Sequence, residues 1–430
     1  MDNAGTVRIQ YPDLIGTERG RDLPTEVFDS LTGGVHFCRA VYYTTTRGGT
    51  LDGEHSLADG LPDVAFHPDR STLAPLPWLP GYRSCLGDML DPVTGLPIGE
   101  CPRAALKQVL RRLEHHDYHP VVGPELEFFV LTNSDGRWRP YDTSPGNVYR
   151  VGHRGDPDGL ATELLTTLSR AELNVTAVNH EFAAGQFEVN LAHSDALDAA
   201  DRAFRFKHAV REIVARRGLT ATFVGKPFND EGGSGFHLHL SLRDADGNNL
   251  FDAPTQPAGL SPLARHAVGG LLRHAPALCA LLAPTVNAYR RLGPDTLAPA
   301  LADWGLDNRS TMVRIPPERG AATRLEIRLG DAAAVPHLVI AAVLAAVALG
   351  IEDRVEPPDP TSGYGYDGRS RPALPRTLDA ALDALAADTA FVDALGKDLV
   401  AAFDRIKRDE TERFRRWVTD WELHEYLPHL

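Results

Sequence analysis

The chain has 430 residues, 43% of them hydrophobic and 24% charged, with 58 acidic against 44 basic side chains and a net charge of -14. That length favours roughly two or three domains with cores of ample size. The acidic balance excludes nucleic acid or an anionic membrane as the main partner, because both require a basic face. Four scattered cysteines (Cys38, Cys85, Cys101 and Cys279) fit neither a disulfide framework nor a C-x-x-C metal motif. Reduced, buried thiols are expected. The start, MDNAGTVRIQYPDL, has no basic segment leading into an apolar one, so a cytoplasmic protein is expected.

Residues 1–100 are rich in Gly, Pro, Thr and Asp, with short apolar runs that read as strands and loops. A turn-rich break follows at DPVTGLPIGECPR. Pro102 then opens a helix with Leu106, Val109, Leu110 and Leu113 at helical spacing. DPDGLATELLTTLSRAEL predicts a helix with an Asp cap and Leu160, Leu164, Leu165 and Leu168 on one side. Residues 196–217 and 261–282 are also helical in pattern. The apolar run from Leu338 to Ile351 is too short to span a bilayer and reads as a buried helix. Residues 352–376, crowded with Pro, Gly and Arg, predict an exposed loop. Two amphipathic helices are expected from about residue 377 onward. A small β-rich domain over 1–100 and a larger α+β domain over 101–430 follow.

Four segments of the larger domain alternate in one way. GPELEFFVL sets Glu125 and Glu127 against Leu126 and Phe128. GQFEVNL sets Glu188 and Asn190 against Phe187, Val189 and Leu191. GFHLHLSL carries His237, His239 and Ser241 on one face, and TRLEIRL carries Arg324, Glu326 and Arg328. Strand side chains alternate faces, so each segment has an apolar face and an ionisable one. A solvated sheet face is the ordinary alternative. Clustered carboxylates, however, repel unless a cation or arginines neutralise them, which favours a charged cleft.

Carboxylates with imidazole suit Mg²⁺ or Mn²⁺, and the number of Glu residues, Glu181 among them, suits two or more ions. Arg290, Arg291, Arg309 and Arg314 imply anionic ligands, and arginines beside metals fit phosphoryl transfer. No G-x-x-x-x-G-K-[ST] loop exists, and GSG at 233–235 is not a nucleophile elbow.

These motifs, together with PTVNAYRRLGPDTLAP, DNRSTMVRIP and ATRLEIRLGD, resemble the glutamine synthetase family in their order along most of the chain. The resemblance implies an α+β fold: an N-terminal β-grasp domain and a catalytic domain with a curved antiparallel sheet. It implies a homo-oligomer, usually a dodecamer, with sites between neighbouring subunits. It implies a reaction in which ATP phosphorylates the γ-carboxylate of L-glutamate and an amine displaces phosphate. By motif position, one metal set resembles Glu127, Glu181 and Glu188, and the other Glu125, His237 and Glu326. Arg309, Arg314 and Arg324 match positions on the ATP phosphates and the transferring group. Arg291 and Arg328 match positions on the glutamate carboxylates, with Gly233 beside them. Ser241 matches a residue near the nucleotide. His239 matches either a nucleotide contact or a structural residue of that wall.

The sequence also departs from the family. Ammonia-using members carry a flap of the form R-L-x-P-G-x-E-A-P. Here RRLGPDTLAP has Leu297 at the Glu position, with Asp295 offset by two. The N-terminal D-G-S-S motif has no matching acid in YYTTTRGGT, and Gly232 stands where the family has Asn. Carboxylates bind ammonium and accept its proton, and apolar room suits a larger amine. An acceptor amine other than ammonia is therefore expected. A true glutamine synthetase with a shifted acid and a non-catalytic structural or sensing relative are the alternatives.

Overall fold

The computed structural model describes residues 5–52, 55, 57–142, 148–294, 296–367 and 371–430. Six strands form the first sheet: β1 (Thr6–Pro12), β2 (Glu18–Pro24), β3 (Val35–Cys38), β4 (Asp63–Pro68), β5 (Ala74–Pro75) and β6 (Tyr82–Leu90). Their order is β2-β1-β6-β4-β3, with β5 on β6. β1 and β6 lie parallel at the centre, the arrangement of a β-grasp sheet. A short helix, α1 (Thr25–Asp29), follows β2.

Pro102 stands at the first position of α2 (Pro102–Glu114), where its missing N–H costs nothing. The second sheet contains β7 (His119–Ser134), β8 (Arg137–Pro140), β9 (Val175–His180), β10 (Gln186–Leu191), β11 (Ser194–Asp195), β12 (Thr220–Thr222), β13 (Phe236–Arg243), β14 (Trp304–Leu306), β15 (Val313–Ile315) and β16 (Leu325–Ile327). Its main path is β14-β15-β16-β13-β7-β10-β9. The pairs along that path are antiparallel except β14 with β15.

Helices α3 (Leu160–Arg170), α4 (Ala196–Ala215), α5 (Pro262–Arg273), α6 (Ala275–Leu282) and α7 (Pro336–Glu352) surround this sheet. The apolar strand residues Leu126, Phe128, Val189 and Leu238 are fully buried beneath them. Phe128 packs edge-on to Phe206 of α4 at 6.1 Å. α7, the apolar run of the sequence, is buried from Pro336 to Gly350. The Asp cap of α3 is Asp156, which accepts from the N–H groups of Ala161 and Thr162 at 3.0 Å.

Four expectations are corrected. Leu165 is 41% exposed. It lies one residue, about 100°, around the helix from Leu164. Cys38 is exposed on an outer strand, while the other three thiols are buried. The C-terminal segment forms four helices rather than two: α8 (Leu378–Ala387), α9 (Thr389–Leu395), α10 (Lys397–Arg415) and α11 (Asp420–Tyr426). Asp388 caps α9 through the N–H of Phe391, and Gly396 turns the chain at φ 109° before α10. Finally, the segment 352–376 is not simply exposed: Glu352 still belongs to α7, and Pro357, Gly365 and Leu374 are buried.

One buried cluster joins the two sheets. Arg103 of α2, 1% exposed, bonds Asp69 (2.6 Å) and Asp88 (2.5 Å) beside the first sheet and Asp201 of α4 (3.0 Å). His337 of α7 meets the other oxygen of Asp201 at 2.8 Å. Among the described residues no helix is long and apolar enough to cross a membrane.

Candidate active site

Antiparallel register assembles the ionisable face. Glu127 pairs with Glu188, and Glu125 pairs with Asn190 on one side and His237 on the other. His239 pairs with Glu326, which in turn pairs with Arg314. Glu181 ends the β9–β10 hairpin, its N–H on the carbonyl of Gln186 at 2.9 Å. Gly185 makes that turn at φ 67°.

Two compact groups result. Glu125, Glu188 and His237 offer ligand atoms within 4.8 Å of one another, as do Glu125, His239 and Glu326. These groupings differ from the expected sets. Glu127 turns one oxygen to the N–H of Gly235 (2.8 Å) and the amide of Gln186 (3.1 Å). Glu125 belongs to both compact groups because it lies between β10 and β13.

Burial, then the neighbouring carboxylates Glu125, Glu127 and Glu181, push Glu188 up to about 8. Burial and Glu127 push Glu181 up to about 7. Glu326 is 1% exposed. Burial opposes its ionisation, but Arg328, His237, His239 and Arg314 together bring it down to about 2. The two histidines likewise outweigh burial at Glu125 and hold it well below the usual carboxylate range. Half-buried carboxylates that resist ionisation are the environment a divalent cation relieves. The oxygen-rich donors with imidazole therefore fit Mg²⁺ or Mn²⁺.

His239 Nδ1 accepts from Arg324 Nε at 3.0 Å, so its Nε2 carries the hydrogen that bonds Glu125 at 2.8 Å. Arg324 also reaches Glu318 at 3.1 Å. His239, Ser241 and Arg324 line a cavity of about 420 Å³ with Glu125, Asn190 and His193. Arg314 bonds Glu326 and, at 2.6 Å, Asp307. Arg328 bonds Glu326 at 2.5 Å, the carbonyl of Arg309 at 3.0 Å and that of Leu297 at 3.1 Å. The Arg309 side chain is exposed, on the side of Glu181.

Arg291 is buried, its guanidinium on the carbonyls of Leu329 (3.3 Å) and Arg328 (3.2 Å). Gly233 and Gly235 allow this approach. A Cβ at Gly233 would lie 2.7 Å from Arg291 Cγ, and one at Gly235 would lie 2.7 Å from His237 Nε2. Leu297 is 51% exposed and takes φ 57°, its carbonyl on Arg328. Asp295 lies outside the described residues. Tyr149, missed in the sequence, belongs to this site. It takes φ 55°, its N–H bonds the carbonyl of His180 at 3.0 Å, and burial followed by Glu181 raises its hydroxyl. Its only sequence signal is an isolated aromatic in a polar loop.

An acid-and-arginine cleft on an antiparallel sheet, with a cation-seeking centre, defines a phosphoryl-transferring class of enzyme. Residues 99–426 match the glutamine synthetase catalytic domain. The glutamine synthetase of Thermotoga maritima is 34% identical, over 99% of this chain and 97% of that protein. A glutamate–isopropylamine ligase of a Pseudomonas species is 31% identical over 99% of this chain and 95% of its own length. A solved GmaS–ADP complex superposes with a TM-score of 0.89 at 34% identity, covering 99% of this chain and 97% of that chain. The chain belongs to the glutamine synthetase family. It is an ATP-dependent ligase that forms carbon–nitrogen bonds, in a family that uses divalent metal ions.

Proposed function

We propose that this enzyme joins the γ-carboxylate of L-glutamate to an amine other than ammonia, through a γ-glutamyl phosphate. The acceptor class comprises polyamines, alkanolamines, alkyl or aryl amines and hydrazines. The observation that carries the reading is Leu297. Its backbone carbonyl accepts from Arg328, the partner of Glu326, and it carries an apolar, half-exposed side chain at the sequence position where ammonia-using members carry a carboxylate. Overall similarity is nearly even between the glutamine synthetases and the isopropylamine ligase, at 34% and 31% identity. The choice therefore rests on the acceptor side of the site. The resemblance to GmaS, a γ-glutamylmethylamide synthetase, supports it.

In this reading Arg291 and Arg328 hold the carboxylates of glutamate, with Gly233 leaving room for it. Arg309 reaches in from the surface, Arg314 and Arg324 exchange their present partners for ATP phosphate oxygens, and Ser241 and His239 form the nucleotide wall. Glu125, Glu127, Glu181, Glu188, His237 and Glu326 hold two or more Mg²⁺ or Mn²⁺ ions. Those ions supply neutralisation of phosphate charge when bound. The arginines orient the γ-phosphate and the γ-carboxylate, and the new P–O bond forms as ADP leaves. The amine then forms the C–N bond, phosphate leaves, and the amine proton passes to solvent or a nearby carboxylate. Leu297 contributes contact with the hydrocarbon body of the amine and excludes water from it. We further assign residues 1–100 and 101–430 to two domains, and the protein to a cytoplasmic homo-oligomer, a dodecamer by resemblance.

The test is phosphate release with ATP, Mg²⁺ or Mn²⁺ and L-glutamate, one amine at a time. The panel spans ammonia, methylamine, ethanolamine, putrescine, spermine, aniline and hydrazine. Release with a substituted amine and little with ammonia is expected. Release chiefly with ammonia refutes the reading.

A further inference from the structure

The segment ahead of β14 folds into a small flap. Gly293 and Ala298 form an isolated bridge, and the hydroxyl of Thr296 donates to the carbonyl of Gly293 at 2.7 Å. At its tip Leu297 takes φ 57°, a region costly for a branched side chain, so the tip needs external restraint. Two side chains supply it. Arg328 donates to the carbonyl of Leu297 at 3.1 Å, and Tyr366 donates its hydroxyl to the carbonyl of Ala298 at 2.9 Å.

Arg328 is part of the charged site already described; Tyr366 lies beside that site, near Arg291. It belongs to the irregular segment after α7, which runs along the flap as a strap. The N–H of Leu374 bonds the carbonyl of Ala300 at 3.0 Å, and the N–H of Ala302 bonds that of Pro372 at 2.8 Å. The same strap grips the Arg309 loop. Asn308 donates to the carbonyl of Gly363 at 2.8 Å, and the N–H of Gly365 donates to Ser310 Oγ at 2.8 Å. Tyr364 packs edge-on against Tyr366 at 5.0 Å and steadies its ring.

We infer that Tyr366 is a positioning residue for amine selection: its hydroxyl, on the carbonyl of Ala298, holds Leu297 over the site and so sets the space open to the acceptor. The inference rests on the reading of Leu297 as the residue that faces the amine. Tyr366 acts through Leu297 rather than on the reacting atoms, although its hydroxyl also lies near Arg291, one of the glutamate arginines. Its loss loosens the wall that Leu297 forms and leaves the phosphate arginines in place.

The experiment is a double-mutant cycle with Tyr366→Phe, Leu297→Ala and the pair, each assayed with glutamate, ATP and the amine the wild type uses best. Tyr366→Phe should raise KM for the amine about five- to tenfold, the loss of one hydrogen bond. Its kcat and its KM for ATP should stay within about twofold, and its KM for glutamate, which reads the nearby Arg291, should rise less than the amine KM. In the Leu297→Ala background the effect on amine KM should vanish, because the positioned side chain is gone. An unchanged amine KM, an equal rise in every KM, or independent effects that multiply in the pair would overturn the inference. If the wild type proves specific for ammonia, the proposed function fails. The same cycle run on ammonia still reads the coupling of Tyr366 to position 297.

Discussion

Glu188→Gln should have opposite effects on stability with and without metal. In the folded protein burial and three neighbouring carboxylates push Glu188 from 4.5 up to about 8. The fold therefore holds a proton that the unfolded chain has already released across that range. Stability of the metal-free protein falls as pH rises from about 4.5 through about 8, because the folded state binds the extra proton there. Glutamine is neutral, and its Oε1 keeps the bond from Asn190 Nδ2, 3.2 Å in the wild type. Near pH 4.5 variant and wild type should match, and by about pH 6 the metal-free variant should already be the more stable by about 1–2 kcal/mol. Near pH 9 the penalty for ionising Glu188 is at most about 5 kcal/mol, and about 2–3 kcal/mol once the carboxylates share their protons. The metal-free variant should then melt about 3–5 °C above wild type. Addition of Mn²⁺ should reverse the order, because the variant has lost a ligand and should bind the ion at least tenfold more weakly. The assay is thermal melting after chelation, with and without Mn²⁺, across about pH 4.5 to pH 9. A metal-free Gln variant that is less stable than wild type at pH 9, or equal stabilisation of both by Mn²⁺, would refute the reasoning.

Arg103→Met should cost about 3–5 kcal/mol in denaturant unfolding, because it removes the buried cation shared by Asp69, Asp88 and Asp201 and leaves only Lys107 on Asp88 and His337 on Asp201. Adding Asp201→Asn should recover part of that loss. Gly235→Ala should leave the protein folded but reduce kcat/KM at least a hundredfold, since the new methyl lies 2.7 Å from His237 Nε2 and 3.0 Å from Arg291 Nη2. Circular dichroism and phosphate release separate the two effects. Leu297→Glu should raise glutamine formation from ammonia about tenfold or more by restoring a proton acceptor, read by mass detection of product.

The ionisable sheet face was legible because strand side chains alternate with a period of two, so Glu125 with Glu127 and His237 with His239 had to share a side. The grouping within that face was not. It depends on which residue of one strand lies opposite which of another, and that register comes from packing of segments far apart in sequence. Periodicity thus placed Glu127 beside Glu188 but did not show that one of its oxygens is taken by Gly235 and Gln186, which leaves the other for a cation. His239, left between two roles, donates to Glu125. The breaks at Asp388 and Gly396 carried readable cap and turn residues, but the apolar periodicity of the segment masked them. The segment after α7 had the composition of a free loop. Its order comes from backbone and hydroxyl bonds to the flap and to the Arg309 loop, which no periodicity announces. Tyr149 is of the same kind, fixed by a left-handed backbone and one bond to His180.

The most direct test of the acceptor assignment is a competition. The purified enzyme receives ATP, Mn²⁺, L-glutamate and an equimolar mixture of ammonium and the substituted amines, and the products are resolved by mass. The account predicts that one γ-glutamyl amide of a substituted amine dominates and glutamine is a minor product. Glutamine as the dominant product would contradict it and return the chain to the ammonia-using members of its family.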